Sequence, residues 1–390
     1  MRRRIFPSIL LSLSVFSHLV VAAEDTQSLA IRAGRIWTVT DGVITDGVII
    51  VKDGKIHAVG KEPDVPAEAK ILDMSDKDVI PGLIDAHCHV GLSLDIFAEI
   101  DEIVSAVTPD MQILDAFDPL AEDVTKARSS GVTTVMLAPG NKNPIAGQTA
   151  IVKLYGNKMN DWVLKRKGGV KLSLRDEALM SDRRPTSRAG LMALLREQLN
   201  EGKAYKDDEY DPCGEVLKRV ADGNVPAYIC ACTVDEIASA VTLVDEYGLK
   251  AVLIGAEKGD EIADIIAERD IPVIYAPLLL FSKDKDLKRV VKLANSGIKL
   301  AFSSTAPKTA LHDLRTSAIL ATKYGLNPEV AIKSLTIHAA EILGIADRVG
   351  SIEKGKDADL VILNGDPLQL TSNIEMVIIN GHIVYKRQEE

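Results

Sequence analysis

Residues 81–89 read PGLIDAHCH, a short apolar run that ends in two histidines. Side chains two positions apart on a β-strand point to the same face, so His87 and His89 would lie side by side. If the strand belongs to a parallel barrel, both rings lie at its carboxyl end, where barrel active sites lie. Two imidazoles in that position can bind one metal ion. The alternative is a pair of buried histidines that only make hydrogen bonds.

Seven further apolar runs follow, and stretches with helical periodicity separate several of them. This alternation is typical of βα units around a parallel sheet, and eight units predict an α/β fold, a (β/α)8 barrel of the TIM type. The third and fourth runs have no obvious full helix between them, so an open α/β sheet is the alternative. The predicted strands are 83–89, 133–138, 150–155, 169–174, 227–232, 251–255, 273–276 and 299–303. The predicted helices include 234–247, 260–268, 285–294 and 310–324.

Both ends of the chain have a different pattern, with short β-rich runs joined by tight turns. The dipeptides DG at 53–54 and NG at 380–381 indicate hairpin turns in which both central residues have positive φ. We therefore expect a small split β-sandwich domain, built from 24–80 and 346–390, beside a barrel over 81–345.

Residues 1–23 have the three parts of a secretory signal peptide, with arginines at 2–4, an apolar run over 5–21 and small residues before Glu24. The alternative is an uncleaved membrane anchor, because the apolar run approaches the length of a spanning helix. We expect cleavage and export to the periplasm or the medium, with no membrane association of the mature form.

Composition narrows the class of protein. The chain has 46 Lys and Arg against 56 Asp and Glu, a formal net charge of -10. This balance argues against nucleic acid as a partner, because binding to phosphates needs a basic surface. Four cysteines in 390 residues are too few for a disulfide framework.

Several motifs, in order along the chain, resemble the amidohydrolase superfamily, in particular its imidazolonepropionase-like and prolidase-like members. The resemblance implies a barrel with a split β domain, one or two divalent metal ions, and hydrolysis of C–N bonds in cyclic amides or peptide-like substrates. The matching segments are IPGLID at 80–85, GVTTV at 131–135, NPIAGQ at 143–148, AAEILG at 339–344 and GSIEKGKDADLV at 350–361.

Three positions depart from the pattern of that family. Cys230 stands where the resembling members carry a histidine on the fifth strand, and Gly255 stands where the sixth strand carries one. Thr305 stands where the eighth strand carries the catalytic aspartate. The histidines after residue 23 are His57, His87, His89, His312, His338 and His382. None of the other four can replace the missing ligands, because two belong to the β domain and two fall in helical stretches after the eighth strand.

Cys230 and Cys232 share a strand face just as His87 and His89 do. If the two pairs converge at the barrel mouth, they form a Cys2His2 set suited to tetrahedral zinc, or to another divalent metal. Such a site would be closed to an activated water and therefore structural. The alternatives are two small core residues or, less favoured, a cysteine nucleophile.

Four further residues are secondary candidates. Lys153 and Lys171 on the third and fourth strands, and Asp176 after the fourth, are each either a bridging ligand or part of a solvated face or ion pair. Asp85 either orients one of the histidines or caps a loop.

Two functions follow from these observations. The first is a metal-dependent hydrolase of amide C–N bonds with an altered site. The second is an inactive barrel that binds a small amide-like ligand or partners an active homologous subunit. The intact histidine pair favours the first function, and the three departures favour the second.

Overall fold

The computed structural model describes residues 28–92, 100–156, 158–206 and 210–388. The predicted signal peptide lies outside the described residues. The described chain forms an eight-stranded sheet that curves into a nearly closed barrel and a separate seven-stranded sheet from the two chain ends. This confirms the predicted fold class. No helix in the described ranges combines the length and the apolar character needed to cross a bilayer.

The barrel sheet contains all eight predicted strands. Because the barrel wall is covered on both faces, these strands are almost continuously apolar, and the first three, β5 to β7, are buried along their whole length. The eight strands are β5 (Leu83–Cys88), β6 (Val132–Leu137), β7 (Ile145–Lys153), β8 (Val163–Ser173), β9 (Ala227–Ala231), β10 (Ala251–Gly255), β11 (Val273–Tyr275) and β12 (Leu300–Phe302).

Backbone hydrogen bonds join the two edges of this sheet just beyond its ends. The His89 amide donates to the Ala306 carbonyl at 2.7 Å, and the Thr305 amide donates to the His87 carbonyl at 3.3 Å. The segment after β12 is therefore attached to the histidine pair at the end of β5.

One barrel strand runs against the expected direction. β7 is antiparallel to both β6 and β8, whereas the other barrel pairs are parallel. A parallel connection needs a crossover of about a dozen residues or more, and only 138–144 and 154–162 connect β7 to its neighbours. The chain therefore turns back instead of crossing over.

Helices cover the outside of the barrel. Thr233 and Glu236 form a capping box at the start of the helix that follows β9, and Gly248 ends that helix in the left-handed region. The helices are α1 (Glu122–Ser129), α2 (Met159–Trp162), α3 (Arg188–Ala204), α4 (Pro212–Ala221), α5 (Val234–Tyr247), α6 (Ala263–Ala267), α7 (Asp284–Asn295), α8 (Asp313–Lys323), α9 (Pro328–Leu335) and α10 (Ile337–Leu343), with 3-10 turns at Ile113–Ala116, Asp176–Ala178 and Gly259–Ile262.

The second sheet has the order β15-β14-β13-β4-β1-β2-β3, so the C-terminal strands pair with β4 of the N-terminal segment. Both predicted hairpin turns are confirmed, with positive φ at the two central residues of 53–54 and of 380–381. The strands are β1 (Leu29–Trp37), β2 (Val43–Lys52), β3 (Lys55–Gly60), β4 (Lys70–Pro81), β13 (Leu360–Leu363), β14 (Ile374–Ile379) and β15 (His382–Lys386).

A buried ion cluster joins the barrel to this sheet. Because β7 is reversed, its last residue, Lys153, pairs with Thr134 near the start of β6, at the end of the barrel opposite the histidines. Its ammonium lies 2.8 Å from Asp357 and 2.9 Å from Asp359 and also hydrogen-bonds Asn380. Lys153 is therefore part of a structural ion pair and not of the barrel mouth.

Candidate functional site

The histidine pair lies at the carboxyl end of β5, as predicted. His87 and His89 are 4% and 3% exposed, and their rings meet edge to face with centroids 5.3 Å apart. Burial in a nearly dry environment disfavours the charged form of an imidazole. Burial and the nearby Lys171 charge lower the pKa of His89 to about 3, and burial, Lys171 and His89 hold the pKa of His87 well below its ordinary value.

The hydrogen bonds fix which nitrogen of each ring carries the proton. His89 Nδ1 lies 2.9 Å from the Ala138 carbonyl oxygen, which only accepts, so Nδ1 is the donor and Nε2 is left as an acceptor. His87 Nε2 lies 2.9 Å from Lys171 Nζ, which donates, so His87 also carries its proton on Nδ1. That Nδ1 has no hydrogen-bond partner among the described residues.

Lys171 extends from β8 across the inside of the barrel to reach β5. The side chain is fully buried, and Nζ donates to His87 Nε2 and, at 3.0 Å, to the Pro139 carbonyl oxygen. Burial lowers the pKa of this amine, an effect that the charges of Cys230 and Asp101 oppose. Of the two candidate lysines, the structure therefore brings only Lys171 to the histidines.

The cysteine pair lies at the end of β9, with Cys230 opposite Ser173 of β8. Cys230 is 6% exposed and Cys232 is partly exposed, and their thiols hydrogen-bond each other. That bond, with the positive charges of Lys171 and Arg175, lowers the pKa of Cys230 against the effect of burial. The same bond, burial and the Glu257 carboxylate raise the pKa of Cys232.

Gly255 makes the space for this arrangement. A Cβ atom added there would lie 2.6 Å from Cys232 Sγ and 3.2 Å from Glu257 Oε2, and the backbone has φ +93°. A histidine at this position would collide with the Cys232 thiol. The glycine at 255 and the cysteine at 232 therefore depend on each other in this packing. Sequence reasoning missed Glu257, which stands two residues after the end-of-strand glycine.

Asp85 connects β5 to the segment after β12. Its carboxylate accepts from the backbone amides of Ser304 (3.0 Å) and His87 (3.3 Å) and from the Ser304 hydroxyl. Burial raises the pKa of Asp85 to about 6, and the Ser304 hydrogen bonds oppose that rise. Asp85 thus fixes the backbone of His87 and not its ring. Thr305 has φ +53°, and its backbone amide donates to the His87 carbonyl oxygen at 3.3 Å.

A cavity of about 660 Å³ lies at the end of the barrel that carries Lys308 and the loops after β6 and β8. Lys308, which lines this cavity, is near enough to the histidines for its charge to contribute to lowering the pKa of both. Asp176 is not part of it, because its carboxylate pairs with Arg188, which is half exposed. The polar lining residues are Asp101, Asn141, Lys142, Glu177, Ser181, Asp182 and Lys308.

The donor set at the barrel mouth lacks what a divalent metal ion needs. Within the described ranges, no three His, Cys, Asp or Glu side chains come together in a way that could hold one. The lone pair of His87 Nε2, the natural ligand atom, accepts from Lys171 instead. In this arrangement the residues do not fit a metal ion, and the Cys2His2 zinc site stays a prediction.

Comparison with known proteins agrees with this fold. Residues 232–384 match the model of the Amidohydrolase family. The crystal structure of an amidohydrolase from Thermotoga maritima MSB8 is 30% identical and superposes with a TM-score of 0.86, covering 92% of this chain and 100% of that one. The chain belongs to the amidohydrolase family.

Relatives with more specific names are more distant. Imidazolonepropionase from Sphingopyxis alaskensis is 26% identical over 85% of this chain and 90% of its own length. Amidohydrolase tasK from Hapsidospora irregularis is 22% identical over 96% of this chain, and the match spans 43% of that larger protein. These relatives agree with membership of the amidohydrolase superfamily.

Proposed function

We propose that this chain binds a small amide-like ligand at the barrel mouth and has lost the metal-dependent hydrolysis of C–N bonds. One observation carries the proposal, the hydrogen bond from Lys171 Nζ to His87 Nε2. This hydrogen bond places the Lys171 ammonium at the imidazole lone pair that a metal ion would need. The replacements at Cys230, Gly255 and Thr305 support the same conclusion, because each removes a group that metal-dependent hydrolysis needs.

The mouth offers specific groups to such a ligand. An ammonium has three protons, and the described residues accept two of those on Lys171, so one is left for a ligand carbonyl oxygen. Asn141 lines the cavity, and its buried Oδ1 has no partner among the described residues. A carbonyl acceptor toward Lys171 and an N–H donor toward Asn141 would together recognise an amide.

A zinc hydrolase is the second candidate. The observation in its favour is that His89 donates through Nδ1 to Ala138, which leaves Nε2 directed elsewhere as a free acceptor. A hydrogen bond at Nδ1 that orients the ring is typical of metal-binding histidines. Catalytic zinc needs an open position for water, so it would be held by His87 and His89 without filling all four positions, and Lys171 would have to leave His87.

Binding and turnover measured on the same protein separate the two candidates. The full chain is stripped with a chelator, divided into metal-free and zinc-supplemented samples, and screened with N-acetylated amino acids and cyclic amides such as succinimide and hydantoin. We expect at least one compound to raise the unfolding temperature equally in both samples, without zinc-dependent hydrolysis. Zinc-dependent, chelator-sensitive hydrolysis would refute the proposal and support the second candidate.

We also propose that the chain is exported through residues 1–23 and partners an active homologous subunit. The sequence pattern of that segment supports export, and an inactive family member gains a role when it assembles with an active one. Fractionation of cells that express the full chain tests export, which retention of uncleaved protein in the cytoplasm would contradict. Co-purification of a homologue with hydrolase activity tests the partnership.

A further inference from the structure

Lys308 is a cation in the wall of the cavity, on a segment that is attached to the histidine pair. The Thr305 amide donates to the His87 carbonyl oxygen at 3.3 Å, and the Lys308 amide donates to the Thr305 carbonyl oxygen at 3.2 Å. The Lys308 side chain lines the cavity and makes no ion pair or side-chain hydrogen bond with another residue of the described ranges. Its ammonium is therefore available to a ligand.

Asp101 brings a carboxylate into the same cavity. Its Oδ1 accepts from the Lys142 amide at 3.1 Å, and a Cβ atom at Gly140 would overlap the carboxylate, so the glycine makes room for it. Burial raises the pKa of Asp101, and the hydrogen bond from the Lys142 amide and the charges of Lys171 and Lys308 oppose that rise. Asp101 and Lys308 are therefore close enough for their charges to interact.

The other acidic groups in the cavity wall have cationic neighbours, and the histidines carry no charge. Glu177 Oε2 lies 3.3 Å from Arg175 Nε, and the Asp182 charge opposes the fall that burial causes in the pKa of Arg183. Burial holds the pKa of both histidines below its ordinary value, so neither ring is charged at pH 7. A ligand in the cavity therefore meets Lys308 and Asp101 as two opposed charges.

We propose that Lys308 and Asp101 determine which charge the ligand carries, with Lys308 binding a carboxylate on the ligand and Asp101 repelling it. The inference rests on the proposed binding of an amide-like ligand and adds the charge of that ligand. An ammonium donates a charge-assisted hydrogen bond to a carboxylate, which is stronger than a hydrogen bond between neutral groups. Two carboxylates in one cavity repel each other, but Lys171 already opposes the charge of Asp101. The attraction to Lys308 therefore exceeds the repulsion.

Matched pairs of ligands isolate the effect of this charge. The probes are N-acetylated amino acids and their carboxamides, in which a neutral –CONH2 group replaces the carboxylate. Isothermal titration calorimetry on the chelator-treated full chain gives both affinities. We expect the acids to bind about 10-fold more tightly than the carboxamides at low salt, as for one hydrogen bond between charged groups. Added salt should reduce this preference, because it screens exposed charges.

Three variants separate the two side chains from the net charge of the protein. Lys308→Met should remove the preference, so that the acid and its carboxamide bind alike. Asp101→Asn keeps an oxygen for the Lys142 amide and removes the repulsion, so it should strengthen binding of the acid by about 3-fold or more. Lys288→Met is the control, because Lys288 is an exposed lysine of α7 outside the cavity. It removes the same charge as Lys308→Met and should keep the preference.

The outcomes distinguish this inference from the proposed function. Carboxamides that bind the unaltered chain as tightly as the acids, or an acid preference that survives in Lys308→Met, would overturn the inference and leave the proposed function standing. Weaker binding of the acid to Asp101→Asn would overturn the role of Asp101. If neither acids nor carboxamides bind, the proposed function fails and the inference fails with it.

Discussion

Two buried lysines of the barrel give opposite predictions for the same substitution. Lys153 and Lys171 are 1% and 0% exposed, so methionine would replace each with an apolar side chain of similar length. The Lys153 ammonium contacts the carboxylates of Asp357 and Asp359. The Lys171 ammonium contacts an imidazole nitrogen and a backbone carbonyl, neither of which is an anion.

The expected magnitudes follow from these partners. Lys153→Met leaves the buried Asp359 carboxylate without its cation, while Asp357 keeps Lys55 and Arg348. Breaking a buried pair from one side costs about 3–5 kcal/mol of unfolding free energy. Lys171→Met removes a buried charge that no contacting carboxylate neutralises. Because replacing such groups with apolar ones is often neutral or stabilising, we expect an unchanged free energy of unfolding or a gain of up to about 3 kcal/mol.

Equilibrium urea unfolding, followed by circular dichroism, measures both variants. Lys55→Met is the matched control, because Lys55 pairs with the same Asp357 at 2.9 Å from a half-exposed position and should cost less than about 1 kcal/mol. A Lys171→Met variant that loses as much stability as Lys153→Met would refute the reasoning. It would mean that an anion, or a modified lysine bound to metal, lies at the barrel mouth.

Three smaller predictions test other parts of the structure. Burial raises the pKa of Asp85 from 3.8 to about 6, so the folded state binds this proton more tightly than the unfolded state does. The free energy of unfolding therefore falls as the pH rises from about 4 to 7. Asp85→Asn should remove about 3 kcal/mol of that fall, as measured by urea unfolding across this pH range. Gly255→Ala should lower the free energy of unfolding by more than about 1 kcal/mol in the same assay, because φ is +93° and the new Cβ atom meets Cys232 Sγ. An unchanged free energy of unfolding would contradict the packing described. The hydrogen bond from Lys356 lowers the pKa of Glu353 to about 2, so the ionised carboxylate stabilises the folded state. This stabilisation is lost as the pH falls from 4.5 toward 2. Glu353→Gln should therefore lower the unfolding temperature at pH 7 by more than at pH 3. An equal loss at both pH values would show that the carboxylate charge is not the cause.

The sequence was sufficient for the architecture, because that depends on local patterns. Each buried strand is a short apolar run, and each hairpin turn has the residues that tolerate positive φ. The histidine pair could also be placed, since two positions of spacing at the end of one strand fix the relation of His87 to His89.

The relation between strands was harder to predict. Lys153 and Lys171 look equivalent in the sequence, yet the reversal of β7 directs them to opposite ends of the barrel. The connections on either side of β7 are too short for a parallel crossover, and this shortness indicates the reversal. The expectation of eight parallel βα units did not take those lengths into account. The Lys171 contact with His87 joins strands that are three places apart in the sheet, so no local pattern could reveal it.

The metal content of the purified full chain, expressed with added zinc, tests the central claim most directly. It is measured by inductively coupled plasma mass spectrometry, with His87→Ala, Cys230→Ala and Lys171→Met measured beside the unaltered chain. The account predicts far less than one ion per chain in the unaltered protein, because Lys171 holds the imidazole lone pair of His87. Stoichiometric zinc that is lost in both His87→Ala and Cys230→Ala would contradict it and establish a metal site at the barrel mouth.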